Sequence, residues 1–215
     1  MATAEGPIRP VETVVKIGGG VLAYAGHLDA VLGEIASAAR ERSLLIVPGG
    51  GPFADVVRDV DRHYGIPDEA AHWMAVLAMD QYAHLIAARL PGGRIVAGPH
   101  EIAVALRDGR VPVLAPSRWL READPLPHSW DVTSDSIAAW IAGVAGARLL
   151  VLVKPPGLRL PKPPDAARLG GPSSDDVDEL VDAYFARALP PHVTPLMVPA
   201  DQVDVLRSAL RPRRS

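Results

Sequence analysis

Two glycine-rich loops hold the residues of this sequence whose types and spacing suit chemistry on an anion. The first is Lys16-Ile17-Gly18-Gly19-Gly20 and the second is Pro48-Gly49-Gly50-Gly51, and each follows a short apolar run. A glycine loop between a strand and a helix directs backbone N–H groups and the helix dipole at one place, which favours phosphates. Glycine-rich turns also occur simply as strand ends, but two on consecutive strands, one beside a lysine, favour phosphate binding.

Other familiar site types are missing from the sequence or only weakly matched. It has no G-x-x-x-x-G-K-[ST] motif of a P-loop and no G-x-S-x-G motif of a hydrolase. The spacing Gly18-x-Gly20-x-x-Ala23 fits a loose dinucleotide fingerprint, but the next strand ends in Pro48-Gly49 instead of a ribose-binding acid. The 7 histidines lack H-E-x-x-H and H-x-x-x-H spacing, so no metal site is predicted.

The composition narrows the class of protein further. The 215 residues are 48% hydrophobic and 22% charged, which is ordinary for a globular domain. A net charge of -3 argues against nucleic acid as a partner, and the absence of cysteine excludes disulfides and thiolate metal sites. No apolar run approaches the roughly 20 residues of a membrane span, and the N-terminus does not resemble a signal peptide. We therefore expect a cytoplasmic protein without a membrane partner.

The elements that would position the two loops alternate between strand-like and helix-like segments, as in α/β proteins. Short apolar runs predict strands at 13–17, 44–47, 94–96, 111–114, 149–153 and 195–198. Apolar residues at helical spacing predict helices at 27–42, 52–63, 67–90, 101–107, 134–144, 175–188 and 201–210. The Pro- and Gly-rich segment 154–172 predicts an irregular loop. We expect one three-layer α/β/α domain over residues 1–215, with a mostly parallel central sheet.

Three motifs together resemble those of the amino-acid-kinase superfamily: Lys16 to Gly20, Val47 to Gly51, and Asp131-Val132-Thr133-Ser134-Asp135. Within it, the sequence is most similar to the kinases of methanofuran biosynthesis. The motifs that carry this likeness are Phe53-Ala54-x-Val56-Val57-Arg58, His72 with Met79-Asp80, and His128-Ser129-Trp130. The likeness covers about residues 13–153. It implies an ATP-dependent kinase that phosphorylates a small phosphate monoester, [5-(aminomethyl)furan-3-yl]methyl phosphate, to its diphosphate.

The resemblance also implies how the site is divided. Residues 13–145 would form the acceptor half and residues 146–210 the nucleotide half. Lys16 would neutralise charge in the transition state, and Lys154, or failing that Lys162 at the ATP phosphates, would be a second lysine. The ATP phosphates would lie at Gly18, Gly19 and Gly20, and the acceptor at Gly49, Gly50 and Gly51. Mg²⁺ would be carried mainly by the phosphates, and a homo-oligomer is expected.

Asp135 is the carboxylate that we expect to act at the site. A phosphate monoester is mostly ionised at about pH 7, because its second pKa is near 6, so no general base is required. Asp135 would then orient Lys16 and the second lysine. The alternative is a structural carboxylate at a helix N-terminus, with Thr133 or Ser134 as the cap.

The predicted acceptor-binding residues are Arg58, His72, Asp80, Thr133 and Ser134. Arg58 could reach a phosphate, or form a surface salt bridge. His72 and Asp80 are eight residues apart on one predicted helix and so lie on broadly the same side. Asp80 could pair with the aminomethyl ammonium, while His72 could hydrogen-bond the furan or phosphate, or simply pack.

The sequence departs from the family pattern in two places, and these keep other functions open. Val153-Lys154-Pro155-Pro156-Gly157 replaces the usual Thr-Asp-Val-Asp-Gly, and Val198-Pro199-Ala200-Asp201 replaces an Asn-Gly pair that precedes His-Pro. Both fall in the nucleotide half. The alternatives are a non-catalytic nucleotide- or metabolite-binding protein on the same fold, and another kinase of the superfamily, for example one for isopentenyl phosphate.

Overall fold

Six parallel strands form the centre of the protein. The computed structural model describes residues 10–24, 26–158 and 180–211. Within these residues the sheet order is β3-β4-β2-β1-β5-β6, and every strand pairing is parallel. The strands are β1 (Thr13–Ile17), β2 (Leu44–Pro48), β3 (Gly93–Val96), β4 (Val111–Leu114), β5 (Leu149–Lys154) and β6 (Thr194–Pro199).

Helices connect these strands, as parallel pairing requires. They are α1 (His27–Ala38), α2 (Gly51–Tyr64), α3 (Asp68–Arg89), α4 (Pro99–Arg107), α5 (Ser117–Ala123), α6 (Ser134–Val144), α7 (Phe185–Ala188) and α8 (Val203–Leu210). A 3₁₀ turn, Gly19–Ala23, follows β1. No helix in the described part of the chain is long and apolar enough to cross a membrane.

Apolar residues cover both faces of the sheet because side chains alternate along each strand. On one face Val14 and Leu152 pack in a cluster with residues of α6 such as Ile141. On the other face Val15 and Val151 pack in a second cluster with residues of α1 and α8. The expected three-layer α/β/α architecture is therefore confirmed, and the described sheet is parallel throughout.

Several predicted boundaries are corrected by the structure. The helix predicted at 27–42 ends at Ala38, and a turn leads to Arg42, which pairs with Glu12. The short helix α5 was not predicted. The helix predicted at 175–188 is helical only over Phe185–Ala188 within the described residues, and most of the predicted loop 154–172 lies outside them.

The strand register brings two lysines to the same face of the sheet. Lys16 is aligned with Leu152 across the β1–β5 pair. Lys154 comes two residues after Leu152, so its side chain leaves the sheet on the same side as that of Lys16. Both lie at the carboxyl ends of their strands, where α/β proteins usually bind ligands.

Candidate active site

Two buried lysines contact one buried carboxylate at the carboxyl ends of β1 and β5. Lys16 Nζ lies 2.9 Å from Asp135 Oδ1, and Lys154 Nζ donates a hydrogen bond of 2.7 Å to Asp135 Oδ2. Only 4–8% of each residue is exposed. Asp135 therefore bridges the two ammonium groups.

The charges in this cluster oppose the effect of burial on Asp135. Burial alone raises the pKa of Asp135, but attraction to Lys16 and Lys154 outweighs it, and the pKa lies below its usual value. Burial, with repulsion from Lys16, lowers the pKa of Lys154, while Asp135 and Asp182 act in the opposite direction. With both lysines protonated, two positive charges face one carboxylate, so the cluster favours an additional anion.

The two glycine-rich loops contact each other through their backbones. A side chain at Gly19 would overlap the backbone of Gly51, and Gly51 itself has a φ of 59°, which favours glycine. The Gly49 N–H donates to Ile17 O at 2.8 Å. Two of the glycines are thus required by the loop contact and the turn, which is a different reason from the expected approach of phosphate.

The first loop is also tied to β5. The Gly18 N–H donates to Val153 O at 2.8 Å, so this amide already has a partner within the protein. A side chain at Gly20 would meet Pro155 Cγ at 2.8 Å. The segment after β5 therefore packs directly on the loop that was expected to bind the ATP phosphates.

A cavity of about 260 Å³ opens beside both loops. Its walls come from Gly19 and Gly20, from the start of α2, from one side of α3 and from residues 129–134 before and at the start of α6. On α3 the lining residues recur at helical spacing: Asp68, Ala71, His72, Ala75, Val76 and Met79. Ser134, the residue before Asp135, also lines it.

The first turn of α2 presents the positive end of its dipole to this cavity. Gly50 and Gly51 line the cavity, and no side chain caps the helix. The first turn contains no acidic residue, and proline occupies its second position. Because the N–H groups of a helix start lack partners within the helix, this end of α2 is suited to a phosphate.

Arg58 and Trp130 are in contact with each other in the cavity wall. The Arg58 guanidinium lies 5.0 Å from the centre of the Trp130 ring and donates to Asp55 Oδ1 at 3.0 Å. Trp130 Nε1 donates to Asp61 Oδ2 at 2.8 Å. Arg58 therefore lines the cavity and also forms the expected salt bridge, while its contact with a phosphate stays a prediction.

His72 lines the cavity as an uncharged ring. It is 9% exposed and stacks on His128, with the ring centres 4.5 Å apart. Burial lowers the pKa of His72 to about 4, with a further contribution from His128. Near neutral pH the imidazole is therefore neutral and can donate one hydrogen bond without adding charge.

A match to a family model shows to which family the chain with this lysine–aspartate cluster belongs. Residues 12–185 match the model of the amino acid kinase family, and that segment contains Lys16, Asp135 and Lys154. The chain belongs to the amino acid kinase family.

Relatives with known names agree with this assignment. The [5-(aminomethyl)furan-3-yl]methyl phosphate kinase of Methanocaldococcus jannaschii is 30% identical over 141 residues, which are 65% of this chain and 63% of that protein. The chain thus matches less than two thirds of that relative's length. The uridylate kinase of Archaeoglobus fulgidus superimposes with a TM-score of 0.61, at 17% identity over 92% of this chain and 95% of that one. The UMP kinase of Ureaplasma parvum gives 0.65, at 16% identity over 93% and 96%. The two structures support the fold.

One predicted acceptor residue of this amino acid kinase lies elsewhere. Asp80 is absent from the cavity wall, and both of its oxygens accept from Ser117, one from the backbone N–H at 3.1 Å and one from the hydroxyl. Although Asp80 and His72 are on one helix, eight residues turn the helix far enough to direct Asp80 at α5. The prediction that Asp80 binds the acceptor is therefore corrected, because this residue caps the start of α5.

Two further predicted residues differ in availability. Thr133 and Ser134 both line the cavity. Thr133 stands at the N-cap of α6, but its hydroxyl and N–H both donate to Asp182, at 2.7 and 3.0 Å. The structural alternative for Asp135 assumed that Thr133 or Ser134 caps α6 with its side chain. The structure shows no such capping hydrogen bond from the N-cap residue. Lys162 lies outside the described residues.

The sequence contained a signal for the lysine cluster and none for Asp182. Only three lysines occur among the 22 basic residues, and two of them meet at Asp135. In a chain that otherwise uses arginine, a lysine at the end of a buried strand is informative. Asp182 lies in a segment rich in acidic residues, and no motif distinguishes it from its neighbours.

Proposed function

We propose that this chain transfers a phosphoryl group from ATP to a small phosphate monoester, with [5-(aminomethyl)furan-3-yl]methyl phosphate as the acceptor. The observation that carries the proposal is the buried Lys16–Asp135–Lys154 cluster, next in sequence to the Ser134 wall of the cavity. Phosphoryl transfer requires alignment and neutralisation of charge, and it requires little covalent chemistry from the protein. Family membership and the named M. jannaschii relative support the same reaction.

The described residues fit a bound polyphosphate. Lys16 and Lys154 supply two positive charges and Asp135 cancels one, so an anion would complete the balance. ATP supplies the transferred phosphoryl group when it is bound, with Gly18, Gly19 and Gly20 as its proposed contacts. Mg²⁺ would be carried mainly by the phosphates, as is common for this ion.

The acceptor phosphate would bind at the start of α2, beside Gly50 and Gly51. The uncapped helix end and Arg58 both favour an anion there. Because a phosphate monoester is already mostly ionised at about pH 7, its oxygen can attack without a general base. Asp135 would then keep the two lysines in place, and it would not take up a proton.

The carboxylate of Asp68 in the cavity wall supports the proposal that the acceptor carries an ammonium group besides its phosphate. Asp68 begins α3 and lines the cavity one helical turn before His72. Asp55 also lines the cavity, but it is paired with Arg58. We therefore propose Asp68 for the role that the sequence suggested for Asp80. Such a site favours the aminomethyl compound over isopentenyl phosphate, whose tail is apolar.

Turnover assays with the purified chain, ATP and Mg²⁺ test this function. ADP release with the aminomethyl furan phosphate is expected, together with a diphosphate detected by ³¹P NMR, and Lys16→Met should abolish both. Asp68→Asn should raise the KM for this acceptor but not for its hydroxymethyl analogue, which lacks the ammonium. Asp204→Asn, at an exposed carboxylate of α8, serves as the control. Absence of turnover with a folded wild-type chain would overturn the proposal.

One observation supports a second candidate, a metabolite-binding protein without catalysis. Pro155 packs against Gly20, at the place where the ATP phosphates are expected. Titration calorimetry separates the two candidates. Binding of the furan phosphate with no binding of ATP would favour the non-catalytic protein, whereas binding of both would favour the kinase.

A further inference from the structure

Asp182 holds the start of α6 through four hydrogen bonds. Its Oδ2 accepts from Thr133 N at 3.0 Å, from Thr133 Oγ1 at 2.7 Å and from Ser136 N at 3.0 Å. Its Oδ1 accepts from the hydroxyl of Ser136, a residue with no exposed surface. A carboxylate 46 residues further along the chain thus caps α6, whose own N-cap side chain does not.

These hydrogen bonds are made by residues on both sides of Asp135 in the sequence. Thr133 and Ser136 lie on either side of it in sequence, so Asp182 restrains the backbone before and after the residue that bridges the two lysines. The adjacent backbone adds another tie, because the Tyr184 N–H donates to Asp131 O at 3.1 Å. Displacement of Asp182 would therefore release the helix start that fixes the direction of the Asp135 side chain.

The charge of Asp182 also reaches the cluster. Lys154 faces Lys16 from β1, Asp135 from α6 and Asp182 from the turn before α7. Burial and Lys16 lower the pKa of Lys154, whereas Asp135 and Asp182 raise it. Asp182 thus favours the protonated lysine, which is the form that can neutralise a phosphate.

We propose that Asp182 is a positioning residue for phosphoryl transfer, which fixes the start of α6 so that Asp135 can hold Lys16 and Lys154 together. This inference rests on the proposed function. It goes beyond that function because it assigns a catalytic effect to a residue that touches neither the cavity nor the two lysines in the described structure. It also means that α6, unlike α2, already has an anion at its positive end.

Asp182→Asn is the central variant, because it preserves shape and removes the charge. Its control is Glu101→Gln, a carboxylate that accepts the Ala97 N–H at 2.7 Å beside the β3–β4 edge of the sheet. Uniform ¹³C labelling of the lysine side chains gives only three ammonium-bearing residues to follow by NMR, and Lys154→Arg assigns one of them. The experiment measures the Lys154 titration, the kcat and acceptor KM, and the melting temperature.

The expected result separates positioning from simple stabilisation. In Asp182→Asn, Lys154 should titrate at lower pH, the alkaline limb of kcat should move in the same direction, and kcat should fall on the order of tenfold or more. The acceptor KM should change little, and Glu101→Gln should leave kcat and the Lys154 titration unchanged. Asp182→Glu, which restores the charge, should return the Lys154 titration towards that of the wild type.

An unchanged Lys154 titration in folded Asp182→Asn would overturn the proposal, as would a kcat no lower than that of the control. If Asp182→Asn does not fold, Ser136→Ala removes one of the four bonds and keeps the charge, and an unchanged kcat in that variant would also contradict it. The NMR titration can be read in a chain that shows no turnover. Failure of the kinase assignment is therefore distinguishable from failure of this inference.

Discussion

The helices α2 and α6 both begin at the cavity, but their first turns carry different charges. The first turn of α2 contains no acidic residue and has no side-chain cap. The first turn of α6 contains Asp135, and Asp182 accepts hydrogen bonds from its N-terminal residues. The backbone dipoles of the two helices are equivalent in kind, so the difference comes from the side chains alone.

This difference indicates how two neighbouring helix starts can favour opposite charges, since α2 begins at the cavity wall and the Asp135 carboxylate at the start of α6 contacts two lysines. The positive end of α2 remains available to an anion, which suits the acceptor phosphate that we propose. At α6 the same positive end is neutralised by a carboxylate from a distant segment, and a second carboxylate is left to bind lysines. The two lysines are thereby kept together at the carboxyl ends of β1 and β5. Three predictions test this contrast.

The largest effect is expected from Asp135→Asn, which removes the charge on the α6 side. Two buried lysines would then face each other without the carboxylate that contacts both of them. Breaking a buried ion pair in this way costs about 3–5 kcal/mol of unfolding free energy. Turnover should fall on the order of a hundredfold or more, because the charges that stabilise the transition state lose their alignment. Urea unfolding and steady-state kinetics measure the two losses.

Asp204→Asn is the matched control for this variant. Asp204 carries a carboxylate whose side chain is 91% exposed and lies on α8, away from the cavity. Surface substitutions of that kind change stability by about 0.5 kcal/mol or less. If Asp135→Asn were as active and as stable as this control, the carboxylate would have no part in holding the lysines.

The contrast between the helices shows what the sequence could and could not predict. Short apolar runs predicted β1 and β4, and apolar residues at helical spacing predicted α6, all with correct bounds, because these patterns match buried strands and a buried helix face. A pairing of Asp135 with Lys16 and a second lysine, either Lys154 or Lys162, was also predicted. The structure shows Lys154 as the second lysine, and the strand register explains why it lies beside Lys16.

The remaining features depend on contacts between distant segments. Asp182 reaches Thr133 across 49 residues and Asp80 reaches Ser117 across 37, and neither pairing leaves a periodic trace in the sequence. The short helix α5 was missed for the same reason, because its first residue is capped by Asp80 from a distant part of the chain. Asp80 was assigned to the acceptor because helix spacing gives only the side of a helix, and the structure shows which neighbour lies there. The homo-oligomer and the single-domain organisation stay predictions.

A moderate effect is expected from Pro52→Glu, which gives α2 the acidic first turn that α6 has. Pro52 is exposed in the first turn of α2. A negative charge at that position stabilises the helix by about 0.3–1 kcal/mol through its attraction to the helix dipole, and it competes with a bound anion. We therefore expect the acceptor KM to rise about two- to fivefold, with little change in kcat. Pro52→Gln, which adds the backbone N–H without a charge, is the control, and equal KM values for both variants would show that α2 does not bind the phosphate.

The smallest effect concerns His72, which lines the cavity from α3 and should add no charge to it. Its pKa in the folded protein is about 4, against 6.5 for an ordinary histidine. Between these values the unfolded chain takes up a proton that the folded chain does not, so the free energy of unfolding should decrease as the pH falls from 6.5 to about 4. His72→Gln should flatten this part of the curve in urea unfolding at several pH values, whereas His192→Gln, at an exposed histidine, should not. A slope that is the same in wild type and His72→Gln would mean that His72 is charged in the folded protein. The cavity would then have a source of positive charge besides the start of α2 and Arg58. The contrast between α2 and α6 would no longer account for where the anion binds.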